Sequence, residues 1–123
     1  IDAVMRLTDG VGADVAIVTA PDATAQEQAF SMVCKGGMVN LFASLPAGAS
    51  DLTIDSRLIH YRELFLSGAS DSTPYHVELA VKLLDQGYIP ESIITHELPI
   101  DNFIEGLTLM TKGTCFKVKI QPE

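Results

Sequence analysis

Apolar residues along this 123-residue chain switch between helical and strand-like spacing, and the switches mark out its elements. Ala3, Val4 and Leu7 recur at helical spacing across Asp2 to Thr8, and the pattern stops at Asp9-Gly10-Val11-Gly12, whose residues favour a turn. Val15, Ile17 and Val18 then form a short β-rich run without strict alternation, the pattern of a strand buried on both faces by flanking helices. Thr24 with Glu27 three residues later fits a capping box, so a helix is expected from about Ala25. Its buried stripe is Ala29, Phe30 and Val33, and Lys35-Gly36-Gly37 supplies the left-handed conformation that closes it. Met38 to Ala43 reads as the next strand. The stretch from Ala20 to Gly37 is long enough for a parallel crossover, which makes this a βαβ unit of the usual right-handed kind.

Past the loop Pro46-Ala47-Gly48-Ala49-Ser50, the run Leu52-Thr53-Ile54 fits a short edge strand and Leu64 to Gly68 a third core strand. Thr73 can cap a following helix and Pro74 suits its first turn; Val77, Ala80, Val81 and Leu84 are its expected buried stripe before Gly87. A second helix from near Asp101 is expected to bury Phe103, Leu107 and Met110 before Gly113. Ile93 to Leu98 and Phe116 to Ile120 fit short strands.

Composition narrows the function classes. A 47% hydrophobic content with 20% charged residues suits a globular core, and no apolar run is long enough for a membrane span. The net charge of −8 opposes nonspecific binding to nucleic acid or an anionic membrane, so neither is expected as a partner. Cys34 and Cys115 lie in no C-x-x-C spacing and beside no secretory leader; they read as reduced packing thiols of a cytoplasmic protein. The chain opens on Ile1 instead of Met, which fits a piece excised from a longer polypeptide.

Few residues suggest chemistry on their own. His60, His76 and His96 lack metal-ligand spacing, and no metal is assigned. Asp71, Asp101 and Glu105 read as turn or cap residues, and Ser44, Ser67 and Ser70 sit in no nucleophile elbow. No G-x-G-x-x-G run occurs.

Several segments taken together carry a resemblance: Gly12-Ala13-Asp14-Val15, Lys35-Gly36-Gly37-Met38-Val39, Leu58-Ile59-His60-Tyr61-Arg62-Glu63-Leu64, Ile94-Thr95-His96-Glu97-Leu98-Pro99, and Lys112-Gly113 through Lys117-Val118-Lys119-Ile120. In order and spacing they resemble the zinc-dependent medium-chain dehydrogenases, especially the sorbitol, threonine and alcohol dehydrogenase branch, over essentially the whole chain. The resemblance implies an α/β fold, the second half of a Rossmann-type doubly wound parallel sheet followed by C-terminal helices and a terminal strand. Residues 1–72 would complete the NAD(P)-binding domain, and residues 73–123 would form a C-terminal segment packed on the same unit. It also implies a fragment of an oxidoreductase that moves a hydride between a small alcohol or polyol and NAD or NADP. Zinc would act in the intact parent, through ligands absent from this chain.

The site residues carried over by the resemblance lie at the carboxyl ends of the strands, where open α/β sheets bind ligands. Thr19, Ala20 and Pro21 match the adenosine side. Phe42, Ala43 and Ser44, with Gly68, Ala69 and Ser70, match the strand ends whose backbone meets the nicotinamide carboxamide. Lys117 matches a basic position that approaches the pyrophosphate. Ala43 stands where the family commonly has glycine. Composition alone reads Ala43 and Gly68 as small for packing and Lys117 as a solvated charge. The resemblance further points to a homodimer or homotetramer formed through Leu52, Thr53 and Ile54. The competing reading is a non-catalytic α/β assembly module or small-ligand-binding module, and neither NAD nor NADP is singled out.

Overall fold

The expected βαβ unit is present in the computed structural model, which describes residues 1–122. The chain divides into two compact units, Ile1–Asp71 and Ser72–Glu123. In the first, α1 (Asp2–Leu7), β1 (Ala13–Val18), α2 (Ala23–Met32), β2 (Val33–Leu41), α3 (Ser56–Arg62) and β3 (Phe65–Gly68) follow in turn. The three strands form one parallel sheet in the order β1-β2-β3.

α2 begins earlier than the Thr24 capping box predicts. Asp22 is the cap: its carboxylate accepts from the Ala25 amide at 2.7 Å, satisfying one of the free N–H groups of the first turn. Glu27 is drawn elsewhere, accepting from the Thr53 amide at 2.7 Å. That bond also explains why Leu52-Thr53-Ile54 is not a strand. The Thr53 donor is taken by a side chain, Ile54 packs against the core, and no ladder forms.

The helix also ends sooner, at Met32, because Val33 is already pairing with Ala13. β2 then bulges through Cys34 to Gly37 before rejoining β1 at Met38, opposite Val15. Gly36 does take a left-handed φ of +74°, but within that bulge and not at the helix end it was expected to close. A helix not anticipated from the sequence, α3, is capped by Asp55, which accepts from the Arg57 amide at 2.9 Å. The Arg62 guanidinium at its far end donates to the Val33 carbonyl, tying α3 to the start of β2.

The core is one-sided. Val18, Ala29, Phe30, Val33 and Val39 are buried, with Ala16, Leu41, Leu58 and Ile59 packed around them. The opposite face leaves Val15, Ile17 and Phe65 at 51%, 62% and 61% exposure, so the expectation that β1 is covered on both faces fails. Strand order supplies the reason: successive right-handed crossovers between neighbouring strands place α2 and α3 on the same side.

The second unit contains α4 (Pro74–Asp85), β4 (Ile94–Pro99), α5 (Phe103–Thr111) and β5 (Lys117–Gln121), with short 3-10 turns before β4 and α5. β4 and β5 pair in parallel as a separate two-stranded sheet. The Thr73 cap forms as expected and is reciprocated by His76: its amide donates to Thr73 Oγ1 at 3.4 Å, and its Nδ1 accepts from the Thr73 amide at 3.2 Å. Two expected buried stripes are exposed, however. Val77, Ala80, Val81 and Leu84 of α4 lie open. Phe103, Leu107 and Met110 border a shallow apolar hollow of about 110 Å³ rather than a sealed core. Gly106 is the buried residue of α5, because the helix rests there on Val118 and Ile120.

Candidate functional site

At the carboxyl end of the first unit's sheet, the chain leaves each strand in a different way, and the site grows from those departures. β1 ends at Val18, whose carbonyl accepts from two amides beyond β2, Phe42 at 3.2 Å and Ala43 at 3.0 Å. β2 ends at Leu41, whose carbonyl accepts from the Ala69 amide beyond β3 at 3.3 Å. The three strand ends are thus laced together by backbone hydrogen bonds. Beside them opens a hollow of about 340 Å³.

Four of the residues expected at the nicotinamide end border this hollow: Ala43, Ser44, Ala69 and Ser70. Phe42 and Gly68 are their chain neighbours at the same strand ends, and Phe42 is exposed. A methyl group built on Gly68 would meet no atom within 4 Å, so nothing in this chain requires that position to be small. Thr19, Ala20 and Pro21 are exposed between β1 and α2 and do not line the hollow. Lys117 belongs to the second unit, where it opens β5 with an exposed side chain, and its carbonyl accepts from Thr95 Oγ1 at 3.2 Å.

The remaining wall comes from residues that sequence reasoning missed. Leu45, Ser50 and Leu52 contribute the loop side, a role for Leu52 different from the strand expected there. Gln26 contributes from the first turn of α2, with its Nε2 donating to the Ala43 carbonyl at 2.9 Å. The signal for Gln26 was available, because it sits three and four positions before Ala29 and Phe30, a polar residue on the buried stripe. No ionisable side chain lines the hollow, and its size is at the lower end of the roughly 300–1,000 Å³ of small-molecule sites. Its uncharged wall sets Leu41, Leu45 and Leu52 beside the Gln26 amide and the hydroxyls of Ser44, Ser50 and Ser70, which suits a neutral group better than a phosphate.

No protein-family model matches the chain. Individual proteins do. It is 34% identical over 123 residues to an L-threonine 3-dehydrogenase of Bacillus licheniformis, covering 97% of this chain and 34% of that protein. With an erythritol/L-threitol dehydrogenase of Mycolicibacterium smegmatis it shares 33% identity over 109 residues, 87% of this chain and 29% of the relative. The chain is homologous to the medium-chain alcohol and polyol dehydrogenases. It spans about a third of the length of the relatives it matches.

The fold agrees with this homology. An alcohol dehydrogenase from Thermotoga maritima superposes with a TM-score of 0.86 at 22% identity, covering 99% of this chain and 34% of the other. A zinc-binding dehydrogenase from Sinorhizobium meliloti bound to NADP superposes with a TM-score of 0.71 at 27% identity, over 80% and 28% of the two chains. The parallel α/β arrangement is that of the Rossmann-like half of these enzymes. Zinc finds no such support within this chain. Among the described residues, no three His, Cys, Asp or Glu side chains are grouped to hold a metal.

Proposed function

We propose that this chain is part of an NAD- or NADP-linked dehydrogenase acting on a small alcohol or polyol, with residues 1–72 completing the coenzyme-binding domain and residues 73–123 forming its C-terminal segment. The observation that carries the reading is the similarity to threonine and polyol dehydrogenases along nearly the whole chain. The uncharged hollow at the strand ends supports it, since it stands where an open α/β sheet receives ligands. The same reading assigns the protein to the cytoplasm, with Cys34 and Cys115 as free thiols.

In this assignment the nicotinamide supplies the hydride chemistry, and the chain's own residues bind and orient the ring. Phe42 and Ala43 amides are committed to Val18, so they set the shape of the strand end and leave ligand contacts to other groups. Gly68 leaves open space in which a flat ring can approach main chain. The catalytic zinc would be held by residues outside this sequence.

The test is a dehydrogenase assay on the complete gene product, following NAD or NADP reduction with L-threonine, sorbitol and erythritol. Turnover of at least one is expected. The 123-residue chain assayed alone is expected to give none, because its sequence has no glycine-rich pyrophosphate loop and no zinc ligands are grouped among the described residues. Full turnover by the isolated chain, or none by the complete product with any alcohol, would overturn the assignment.

A further inference from the structure

A capping box ordinarily places Glu or Gln at the third helical position, where its side chain reaches back to the amide of the cap residue. α4 puts His76 there. Its Nδ1 accepts from the Thr73 amide at 3.2 Å, and its own amide donates to Thr73 Oγ1 at 3.4 Å. A ring nitrogen that accepts carries no proton, so this arrangement needs the neutral imidazole with its hydrogen on Nε2. With both nitrogens protonated the ring has only donors, and the Thr73 amide loses its partner. The same proton sets a positive charge beside the free N–H groups of the first turn, where a cation is unfavourable. The surroundings offer the charged ring no compensation. Among the described residues no carboxylate lies within 4.0 Å of its nitrogens, and Glu78 is taken by Lys82 at 2.7 Å. Tyr75, with its ring centroid 6.0 Å from that of His76, is neutral while histidine titrates. Asp71 is the nearest acidic residue before the cap, and no other described element packs closely along α4.

We propose that α4 carries a pH-sensitive cap: the reciprocal pair of Thr73 and His76 holds the first turn while His76 is neutral and releases it when the ring takes up a proton. The hold is present at neutral and higher pH and is lost as pH falls through the range in which histidine gains its charge. The released segment is the one by which the chain passes from Ser70, in the wall of the hollow, into the second unit. The inference concerns the start of this helix and does not depend on the dinucleotide reading.

The experiment follows amide hydrogen exchange across residues 71–77 of the complete gene product, as wild type, His76→Gln and His76→Ala, at about pH 8 and about pH 5. Rates are corrected for the intrinsic pH dependence of exchange and read relative to the amides of β2, which cancels any general loosening in acid. Gln is the conservative replacement, since it can reach back to the cap amide and does not titrate. In the wild type the relative protection of the Thr73 and His76 amides is expected to fall about threefold or more on acidification. His76→Gln should hold one value at both pH values, and His76→Ala should start low and stay there. His60 and His96 are present in all three proteins, so a difference between the wild type and the Gln variant belongs to His76. Wild-type protection that stays level, or that falls equally in His76→Gln, overturns the inference. Full protection of His76→Ala at the higher pH overturns it too, because the ring would then have no part in the cap.

Discussion

Glycines stand at both ends of the three-stranded sheet, but for opposite reasons. At the amino end, a methyl group on Gly12 would lie 2.8 Å from the Cys34 nitrogen and Val33 carbonyl carbon, and one on Gly37 would lie 2.9 Å from the Cys34 carbonyl oxygen. Both are backbone contacts that cannot swing aside. At the carboxyl end, Gly68 faces nothing within 4 Å. The amino end is small because the chain itself crowds there, where β2 bulges against the entry to β1. The carboxyl end is small without any internal demand for it. Open space alone assigns Gly68 no ligand, since Gly10, Gly36 and Gly48 likewise have nothing within 4 Å; it only leaves the position free for a use outside the chain's own packing.

The largest effect should come from Gly12→Ala. It combines the clash with φ +96°, a conformation that side chains rarely adopt, and a loss of about 3 kcal/mol or more is expected from strain and overpacking together. Gly10→Ala is the control, since Gly10 has φ +82° and open space around it. Urea denaturation should place the Gly12 variant well below the Gly10 variant; equal midpoints would break the crowded half of the comparison.

The open half is tested by Gly68→Val in the complete gene product. Cofactor affinity should fall about tenfold or more while the melting temperature moves little, since a branched side chain fits the strand but fills the approach to it. Cofactor fluorescence titration beside a melting curve separates the two effects. Lost stability with affinity intact would make the carboxyl-end glycine a packing residue after all.

A smaller contrast concerns how α2 is held beneath this end. Asp22→Ala should cost about 1 kcal/mol by removing the cap bond to Ala25, whereas Thr24→Ala should stay within about 0.5 kcal/mol. Equal losses would mean that the sequence-level capping box operates in solution.

These sites also mark where sequence reading succeeds. The parallel pairing of β1 with β2 was legible because two apolar runs separated by a helical stripe and a glycine pair leave little choice of topology. The Thr73 cap was legible because it depends on neighbours a few residues away. The Thr24 cap was misread for the opposite reason: Glu27 satisfies the amide of Thr53, a partner remote in sequence that no local motif reveals. Ala43, Ser44, Ala69 and Ser70 were found through a family resemblance rather than from their own chemistry, and Gln26 was overlooked although its place on the apolar stripe was visible.

The sequence by itself determined most of the elements, the parallel βαβ unit and the kinship with alcohol and polyol dehydrogenases, since these follow from periodicity, turn residues and motif order; α3 was not among them. Only the tertiary structure decided which apolar residues are covered. Val15 and Val18 are both valine in one strand, yet the first is half exposed and the second buried, because the crossover helices occupy a single face. Tertiary structure alone also distinguished the crowded glycines from the open one and directed a buried glutamine into the hollow. Those outcomes depend on atoms brought together from distant parts of the chain, whose distances no local pattern encodes.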